Sequence, residues 1–311
     1  MSVPSGGLPS VGGFQVPLGG MLADLGYATG WRLVRSMPEF AARNMFDAGA
    51  LYASLGGGPD QLRKNLARVL GVPPNKVPAS LIRASLSSYA RYWREAFRMP
   101  SMDQREIAER VVPCLRGVEH IEEALQRGNG AILALSHSGN WDMAGVAMVS
   151  HFGSFTTVAE RLKPESLYQR FVDYRESLGF EIVPLTGGPR RPFEVLNERL
   201  EQNGIVCLLA DRDLGRKGID VTLFGEATRM PAGPARLAVD TGAALFVVNC
   251  WNEPDDWVFD ICPALDVTSG DIAAITQEMA SHFEGSIAAH PADWHMLQPQ
   301  WLADLAPERA G

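Results

Sequence analysis

One histidine and one aspartate carry the clearest chemical signal in the sequence. The run LSHSGNWD at positions 135–142 places Asp142 five positions after His137. An apolar segment precedes the run, and Asn140 is a favourable N-cap for a helix with Asp142 in its first turn. If His137 lies in the turn before that helix, Asp142 could hold one ring nitrogen while the other takes a proton from a hydroxyl. The pattern predicts a general base with an orienting carboxylate; the alternative is a hydrogen-bonded histidine at a strand end and an acid that merely favours the helix start.

Two patterns of hydrophobic residues must position this pair. From position 118 onward, apolar runs alternate with helical stretches at 165–178 and 192–202, which is typical of an α/β sheet covered on both faces. The runs predicted as strands are AILAL (131–135), TTVAE (156–160), FEIVPL (180–185), GIVCLLA (204–210), ALFVVNC (244–250) and DWVFDIC (256–262). We therefore predict a mixed, mostly parallel central sheet flanked by helices.

The part before residue 113 has helical periodicity instead. Leucines recur four apart at Leu62, Leu66 and Leu70, and positions 77–97 carry a similar apolar face. We predict a disordered segment at 1–20 and a single domain over 21–311, made of a helical lobe (21–112) and an α/β core (113–311).

Composition limits the classes of function. The chain has 311 residues, of which 46% are hydrophobic and 21% charged, enough for a large core. A net charge of −8 without a basic run disfavours nucleic-acid binding. Four widely spaced cysteines are more typical of buried thiols in a reducing compartment than of disulfides or metal ligands. The longest apolar runs are shorter than a bilayer span, and the first 20 residues lack the pattern of a secretory signal.

Four blocks in order resemble the acyltransferases of the lysophospholipid and lipid A lauroyl-transferase superfamily. They are the H-x-x-x-x-D motif with its following WDMAG, the Asp-Arg-Asp triplet at 211–213, the block FGEATRMPAGPARLA at 224–238, and the closing segment from HPADW at 290–294 to the tryptophan at 301. Within that superfamily, LGYATGWRLVR at 25–35 and YARYWRE at 89–95 look most like the actinobacterial phosphatidylinositol mannoside acyltransferases. The likeness covers residues 21–311.

This resemblance implies an acyl-CoA-dependent O-acyltransferase that moves a long, palmitoyl-like chain to a mannose hydroxyl of a phosphatidylinositol mannoside. His137 would act as general base and Asp142 as its orienting partner, with no covalent enzyme intermediate, since the chain has no G-x-S-x-G elbow. Acyl-CoA would be a co-substrate, and neither a cofactor nor a metal is expected. Alternatives are another lipid acceptor, lipid A-like or lysophospholipid, or a thioesterase or lipid-binding protein of the same fold.

Polar residues after the predicted strands are candidates for substrate binding, because the carboxyl ends of parallel strands open onto a crevice. Glu160 and Arg161 could hold mannose hydroxyls. Arg175, on the helix at 165–178, could pair with Glu160 or meet a phosphate, although a solvated ion pair explains it equally well.

Asp211 follows its strand as His137 follows AILAL, so the two are expected to face one crevice. Asp211 would bind the acceptor sugar or shape the site, unless it only caps a turn. Arg212, or the backbone N–H groups at Gly139 and Asn140, could stabilise negative charge on the thioester oxygen.

The acyl chain needs a dry groove. Small or flexible residues on the helix at 143–152 could line it by leaving space beside the sheet: Ala144, Gly145, Ala147 and Met148. Tight packing of helix against sheet through the same residues is the alternative.

Attachment to a membrane surface would need an amphipathic element. In the stretch 21–37, Tyr27, Trp31 and Val34 recur on one helical face with Arg32 and Arg35 nearby, as in an interfacial helix or in an ordinary helix docked on the core. Four further arginines could contact anionic headgroups or simply be solvated: Arg83, Arg91, Arg94 and Arg98. The resemblance implies a peripheral position on the cytoplasmic face of the plasma membrane.

Overall fold

The computed structural model describes residues 10–11, 14–15, 30, 32–161, 165–213 and 218–305. Its helices are α1 (Glu39–Ser54), α2 (Asp60–Leu70), α3 (Ala79–Arg98), α4 (Gln104–Val111), α5 (Val118–Arg127), α6 (Trp141–Phe152), α7 (Glu165–Ser177), α8 (Pro192–Glu201), α9 (Gly233–Thr241) and α10 (Ile272–Ala289). Within these described ranges, no helix is both long and apolar enough to cross a bilayer.

Six of the eleven described strands coincide with the predicted apolar runs, and the other five were not predicted. The eleven strands are β1 (Ser10–Val11), β2 (Phe14–Gln15), β3 (Leu115–Arg116), β4 (Ala131–Leu135), β5 (Phe155–Ala159), β6 (Phe180–Pro184), β7 (Ile205–Leu209), β8 (Ile219–Leu223), β9 (Glu226–Met230), β10 (Ala244–Asn252) and β11 (Trp257–Ile261). Seven of them form one sheet in the order β3-β11-β10-β4-β7-β5-β6, in which only β10 and β11 pair antiparallel. The predicted mixed, mostly parallel α/β sheet is confirmed.

Both faces of the sheet are buried, as continuous apolar strands require. Alternate residues of β4 point to opposite sides: Leu133 and Leu135 join a core cluster with α4, α5, α6 and α7. Ile132 and Ala134 join a second cluster with α8, α9 and α10. The carboxyl ends of β4, β7 and β5 therefore lie at one edge of a rigid, two-sided support.

Charged side chains of the helical lobe pair with one another, within α3 and between α1 and α3. Arg91 pairs with Glu95 at 2.7 Å, Arg98 pairs with Glu39 at 2.8 Å, and Arg94 lies 3.5 Å from Glu39. The side chains of these three arginines are 10–16% exposed, so the prediction that they contact lipid headgroups is wrong for them. Their charges are paired within the protein, by the buried carboxylate of Glu95 and the exposed carboxylate of Glu39. Arg83 remains exposed.

The N-terminal predictions are tested only in part. Of residues 1–20, the structure describes just the pairing of β1 with β2, and Tyr27 and Trp31 lie outside the described residues. Val34 is 6% exposed and packs against the protein, so its proposed place on a membrane-facing stripe is wrong. Arg32 and Arg35 are exposed.

Candidate active site

Strand register brings His137 and Asp211 together. β4 pairs with β7 in parallel with Leu135 opposite Leu209, so the residues two positions beyond each strand end lie side by side. Those residues are His137 and Asp211, and a backbone hydrogen bond from Ala210 to the Leu135 carbonyl (2.8 Å) continues the pairing towards them. The two therefore share one crevice, as the order of strands and polar turns predicts.

The carboxylate of Asp211 holds the histidine at two points. Its Oδ1 lies 2.6 Å from Nδ1 of His137, and its Oδ2 accepts the backbone N–H of His137 at 3.0 Å. The Asp211 side chain is 1% exposed, whereas that of His137 is 30% exposed. Within the described residues no hydrogen-bond partner occupies Nε2, which leaves this nitrogen available to a substrate.

Electrostatics fix the tautomer of the ring. Burial opposes ionisation of Asp211, but the charge of His137 and hydrogen bonds from His137 and Trp294 outweigh it and lower the pKa of Asp211. An ionised carboxylate only accepts hydrogen bonds, so Nδ1 carries the proton and Nε2 carries the lone pair. A general base with an orienting carboxylate requires an arrangement of this kind.

Asp142, the expected orienting partner, binds elsewhere. Its Oδ1 accepts Nε of Arg175 at 2.9 Å, and its Oδ2 accepts the hydroxyl of Tyr92 at 3.1 Å. The prediction that Asp142 holds the imidazole is therefore corrected: Asp211 occupies that position. The physical reason is that α6 begins at Trp141 and directs Asp142 towards α7, away from the turn that contains His137.

Arg175 is neither a solvated side chain nor a partner of Glu160. Burial alone would lower its pKa, but Asp142 and neighbouring tyrosines raise it, so Arg175 stays cationic beside its carboxylate. Its side chain is 20% exposed, and both Arg175 and Asp142 line the apolar cavity described below. The pair thus places charged groups in the wall of an otherwise apolar cavity.

A second carboxylate fixes the start of α6. Asn140 caps the helix by accepting the N–H of Met143 at 3.0 Å, and it donates its amide to Glu95 at 2.7 Å. Glu95, on α3, also accepts the indole N–H of Trp257 at 2.9 Å. The helical lobe therefore sets the orientation of the helix that follows the base.

The turn after His137 is fixed by its backbone. Gly139 has φ +58°, and a Cβ there would lie 2.8 Å from the carbonyl carbon of Cys250, so glycine is required. Its N–H donates to the carbonyl of Asp293 at 2.9 Å, which removes it from the candidates for binding the thioester oxygen. On the other side, the carbonyl of His137 accepts the N–H of His295 at 2.7 Å.

The side chains of this closing segment form two further contacts with the site. Trp294 donates its indole N–H to Oδ2 of Asp211 at 3.1 Å, and Gln300 donates to the backbone carbonyl of Asp211 at 2.6 Å. The block 290–301 resembles a family pattern in sequence, but that pattern predicts no role for these two residues. No local signal distinguishes them, because their partner lies more than 80 positions earlier in the chain.

His295 is a buried, neutral histidine beside the base. Burial, reinforced by the charge of His137, lowers its pKa to about 3. Its Nε2 lies 3.0 Å from Oγ of Ser88, which donates to Asp293 at 2.5 Å and accepts from Asn252 at 3.0 Å. Since the serine proton goes to Asp293, Nε2 of His295 is the donor in its bond to Ser88.

A small apolar cavity of about 70 Å³, open to solvent at its mouth, lies between α6 and the sheet. Leu135 and Leu209, two residues before His137 and Asp211, belong to its wall. Of the residues expected to line an acyl groove, three line this cavity: Ala144, Gly145 and Met148. Ala147 is absent from this lining and is fully buried in the core, where it packs α6 against the sheet.

Three other predicted substrate residues lie at the same sheet edge but outside the hydrogen bonds of the base. Glu160 is exposed just after β5. Arg161 is exposed and pairs with Glu165 through two 2.8 Å contacts. Arg212 is half-buried next to Asp211. The structure leaves their role in substrate binding a prediction.

A parallel sheet with an Asp-held histidine at its carboxyl edge and an apolar cavity below it fits acyl transfer to or from a lipid. Residues 21–303 match the bacterial lipid A biosynthesis acyltransferase family, and the chain belongs to this family. It is 64% identical over 295 residues to the phosphatidylinositol mannoside acyltransferase of Mycolicibacterium smegmatis, covering 95% of this chain and 96% of that protein. It is also 64% identical over 286 residues to the phosphatidylinositol mannoside acyltransferase of Mycobacterium tuberculosis, covering 92% of this chain and 90% of the relative.

Proposed function

We propose that the protein transfers a long, palmitoyl-like acyl chain from acyl-CoA to a mannose hydroxyl of a phosphatidylinositol mannoside, with His137 as general base and Asp211 as its orienting carboxylate. The observation that carries the proposal is the 2.6 Å contact of Nδ1 with Asp211, which leaves Nε2 unoccupied beside an apolar cavity. The two relatives at 64% identity support the choice of acceptor.

The mechanism requires one proton to be moved twice. Nε2 of His137 removes the proton of the sugar hydroxyl as its oxygen attacks the thioester carbonyl, and Asp211 stabilises the imidazolium that forms. When the tetrahedral intermediate collapses, the C–S bond breaks and the imidazolium returns the proton to the leaving thiolate. The products, an ester and a free thiol, contain all the atoms of the alcohol and the thioester. The reaction therefore needs neither an enzyme nucleophile nor a cofactor.

The apolar cavity supports binding of the acyl chain. At about 0.8 kcal/mol per buried methylene, a fully buried C16 chain would contribute on the order of 10 kcal/mol before binding costs. The cavity of about 70 Å³ encloses only part of such a chain, so we propose that it receives the chain at its mouth. Its wall combines Leu135 and Leu209 at the strand ends with Ala144, Gly145 and Met148 from α6. At Gly145 the absence of a Cβ lets the ring of Phe180 pack against the helix, since a Cβ there would lie 2.4 Å from that ring.

For the polar substrates we propose contacts at the same edge of the sheet. Arg175, held by Asp142 at the cavity, supplies positive charge where the thioester carbonyl meets the acceptor. Glu160, Arg161 and Arg212 follow β5 and β7 and are candidates for the sugar and phosphate groups of the acceptor. The first-turn N–H groups of α6, other than the N–H of Met143 that caps it, are candidates for the thioester oxygen.

We further propose that the protein works at the cytoplasmic face of the plasma membrane as a peripheral enzyme. Large apolar side chains of the helical lobe are exposed, with Phe40 at 69%, Tyr52 at 79% and Leu55 at 64%. Arg32 and Arg35 are exposed nearby in the sequence and could meet anionic lipids.

The proposal is tested by incubating the protein with palmitoyl-CoA, with and without mannosylated phosphatidylinositol, and following free thiol and acylated lipid. Thiol release should rise with acceptor and vanish in His137→Ala. His151→Ala is the matched control, because His151 has a similar exposed fraction (31% against 30%) and also pairs with a carboxylate, at 2.9 Å. Acceptor-independent release would instead identify a thioesterase, and binding without release a lipid carrier. Faster transfer to a lipid A-like or lysophospholipid acceptor would reassign the substrate.

A further inference from the structure

We propose that Trp294 is a positioning residue for the base: its indole N–H holds the Asp211 carboxylate in the one orientation that can serve His137. The inference rests on the proposed function for its kinetic consequence, but its structural part can be tested without substrate. Trp294 would otherwise be regarded only as a buried residue of the hydrophobic core.

Three donors surround the Asp211 carboxylate. Oδ1 takes Nδ1 of His137, while Oδ2 takes both the His137 backbone N–H at 3.0 Å and the Trp294 indole at 3.1 Å. Two donors come from His137 itself and move with it. Trp294 is the donor that comes from a different segment of the chain and not from His137 itself.

The carboxylate needs that donor because the described residues place no arginine or lysine in an ion pair with it. Asp211 is 1% exposed, so water does not solvate it either. A buried anion in this position is stabilised by neutral donors, each of which is worth more than in water. Trp294 also contributes to the lowered pKa of Asp211.

The backbone around Trp294 is fixed on both sides. Ser138 pairs with Trp294 as an antiparallel bridge, with Gly139 donating to Asp293 and His295 donating to His137. The indole is 1% exposed and packs edge-on against Trp301, with ring centroids 5.9 Å apart. The ring therefore has little freedom to follow a carboxylate that rotates, and it restrains the carboxylate instead.

Trp301 offers a matched control in the same core cluster. It is 0% exposed, and its indole N–H makes a single hydrogen bond of 2.9 Å to the carbonyl of Leu223. Trp294→Phe and Trp301→Phe thus remove the same side-chain volume and one indole hydrogen bond each, but only the first removes a hydrogen bond to the Asp211 carboxylate. The Trp301→Phe variant keeps an aromatic ring packed against Trp294. Replacing Trp294 with benzothienylalanine, in which sulfur replaces the N–H, removes the donor and keeps the ring size.

The first measurement is steady-state kinetics of thiol release with acceptor. Losing a hydrogen bond to a buried carboxylate should lower kcat about 10- to 100-fold in both Trp294 variants and leave KM for acyl-CoA within about threefold. Trp301→Phe should keep kcat within about threefold while losing a similar amount of thermal stability. Equal kcat in the Trp294 and Trp301 variants would overturn the inference.

The second measurement needs no turnover. The proton between Nδ1 and Asp211, in a bond of 2.6 Å, should give a far-downfield proton resonance in wild type and in Trp301→Phe. It should shift upfield or broaden into exchange in both Trp294 variants. Absence of this resonance from wild type, or its persistence unchanged in the benzothienylalanine variant, would overturn the inference even if the proposed acyl transfer is correct. Failure of the wild-type protein to acylate the mannoside would reject the proposed function but would not affect this test of the hydrogen bond between Trp294 and Asp211.

Discussion

Replacing Asp211 with asparagine should abolish base catalysis by reversing the tautomer of His137. Oδ2 of Asp211 faces two donors, the backbone N–H of His137 and the indole of Trp294. The amide oxygen of asparagine must take that position, because an NH₂ group there would meet two N–H groups. The NH₂ group then occupies the Oδ1 position and donates to Nδ1, so the proton of the ring moves to Nε2.

A histidine with its proton on Nε2 cannot accept one from the sugar hydroxyl. In the serine protease triad the corresponding change lowers kcat about 10⁴-fold, which corresponds to about 5 kcal/mol of transition-state stabilisation. We expect a loss of this order for Asp211→Asn, with KM for acyl-CoA little changed, since Asp211 is 1% exposed and does not line the cavity. The fold should remain, because asparagine has the shape of aspartate. The backbone N–H of His137, its Nδ1 and the indole N–H of Trp294 all keep a hydrogen-bond partner.

The assay is thiol release from palmitoyl-CoA in the presence of acceptor, together with ¹⁵N NMR of the imidazole to report which nitrogen carries the proton. Asp142→Asn is the informative comparison. If Asp142, the carboxylate nearer in sequence, were the partner of His137, the large loss of kcat would occur in Asp142→Asn and not in Asp211→Asn. If Asp211→Asn keeps more than a tenth of wild-type kcat, or if its ring still carries the proton on Nδ1, the reasoning from the two donors at Oδ2 is wrong.

Three further outcomes follow from the structure. Asp142→Asn leaves the cation of Arg175 without its carboxylate, so unfolding in denaturant should show a loss of about 3 kcal/mol, whereas a loss below 0.5 kcal/mol would contradict the buried ion pair. The pKa of His295 is lowered to about 3, so its neutral form stabilises the fold fully above pH 6.5 and this contribution falls as pH drops towards 3, at up to about 1.4 kcal/mol per pH unit. His295→Gln should flatten stability between pH 6 and pH 4 relative to wild type, and parallel curves would refute the assignment. Gly145→Ala brings a Cβ within 2.4 Å of Phe180, so it should cost about 1–3 kcal/mol of stability and slow transfer of palmitoyl more than of butyryl chains; equal slowing would show that the cavity does not hold the chain.

Local sequence patterns were sufficient for the sheet because burial on both faces imposes long apolar runs. AILAL is β4 at the same bounds, and GIVCLLA contains β7. They also located the crevice, because polar residues after parallel strands meet at one edge. The hairpin of β8 and β9 was not predicted, because apolar and polar residues alternate only weakly along these two strands. Its turn contains Phe224 and Gly225, both at positive φ.

The identity of the partner of His137 could not be obtained in the same way. Sequence proximity favours Asp142, at five positions, over Asp211, at 74. The choice depends on the pairing of β4 with β7 and on where α6 begins, and both are tertiary facts. The same holds for Tyr92, which reaches Asp142 from another helix, and for Trp294, whose indole meets a residue 83 positions away.

The dependence of the base on the segment 293–301 has a consequence for timing. His137 and Asp211 are synthesised long before Trp294 and Gln300, which complete the hydrogen bonds of Asp211. Long-range pairings of this kind form late in folding. Before the segment 293–301 has docked, Asp211 lacks the hydrogen bonds from Trp294 and Gln300. We therefore expect thioester cleavage to begin only after this segment has closed over the turn that contains His137.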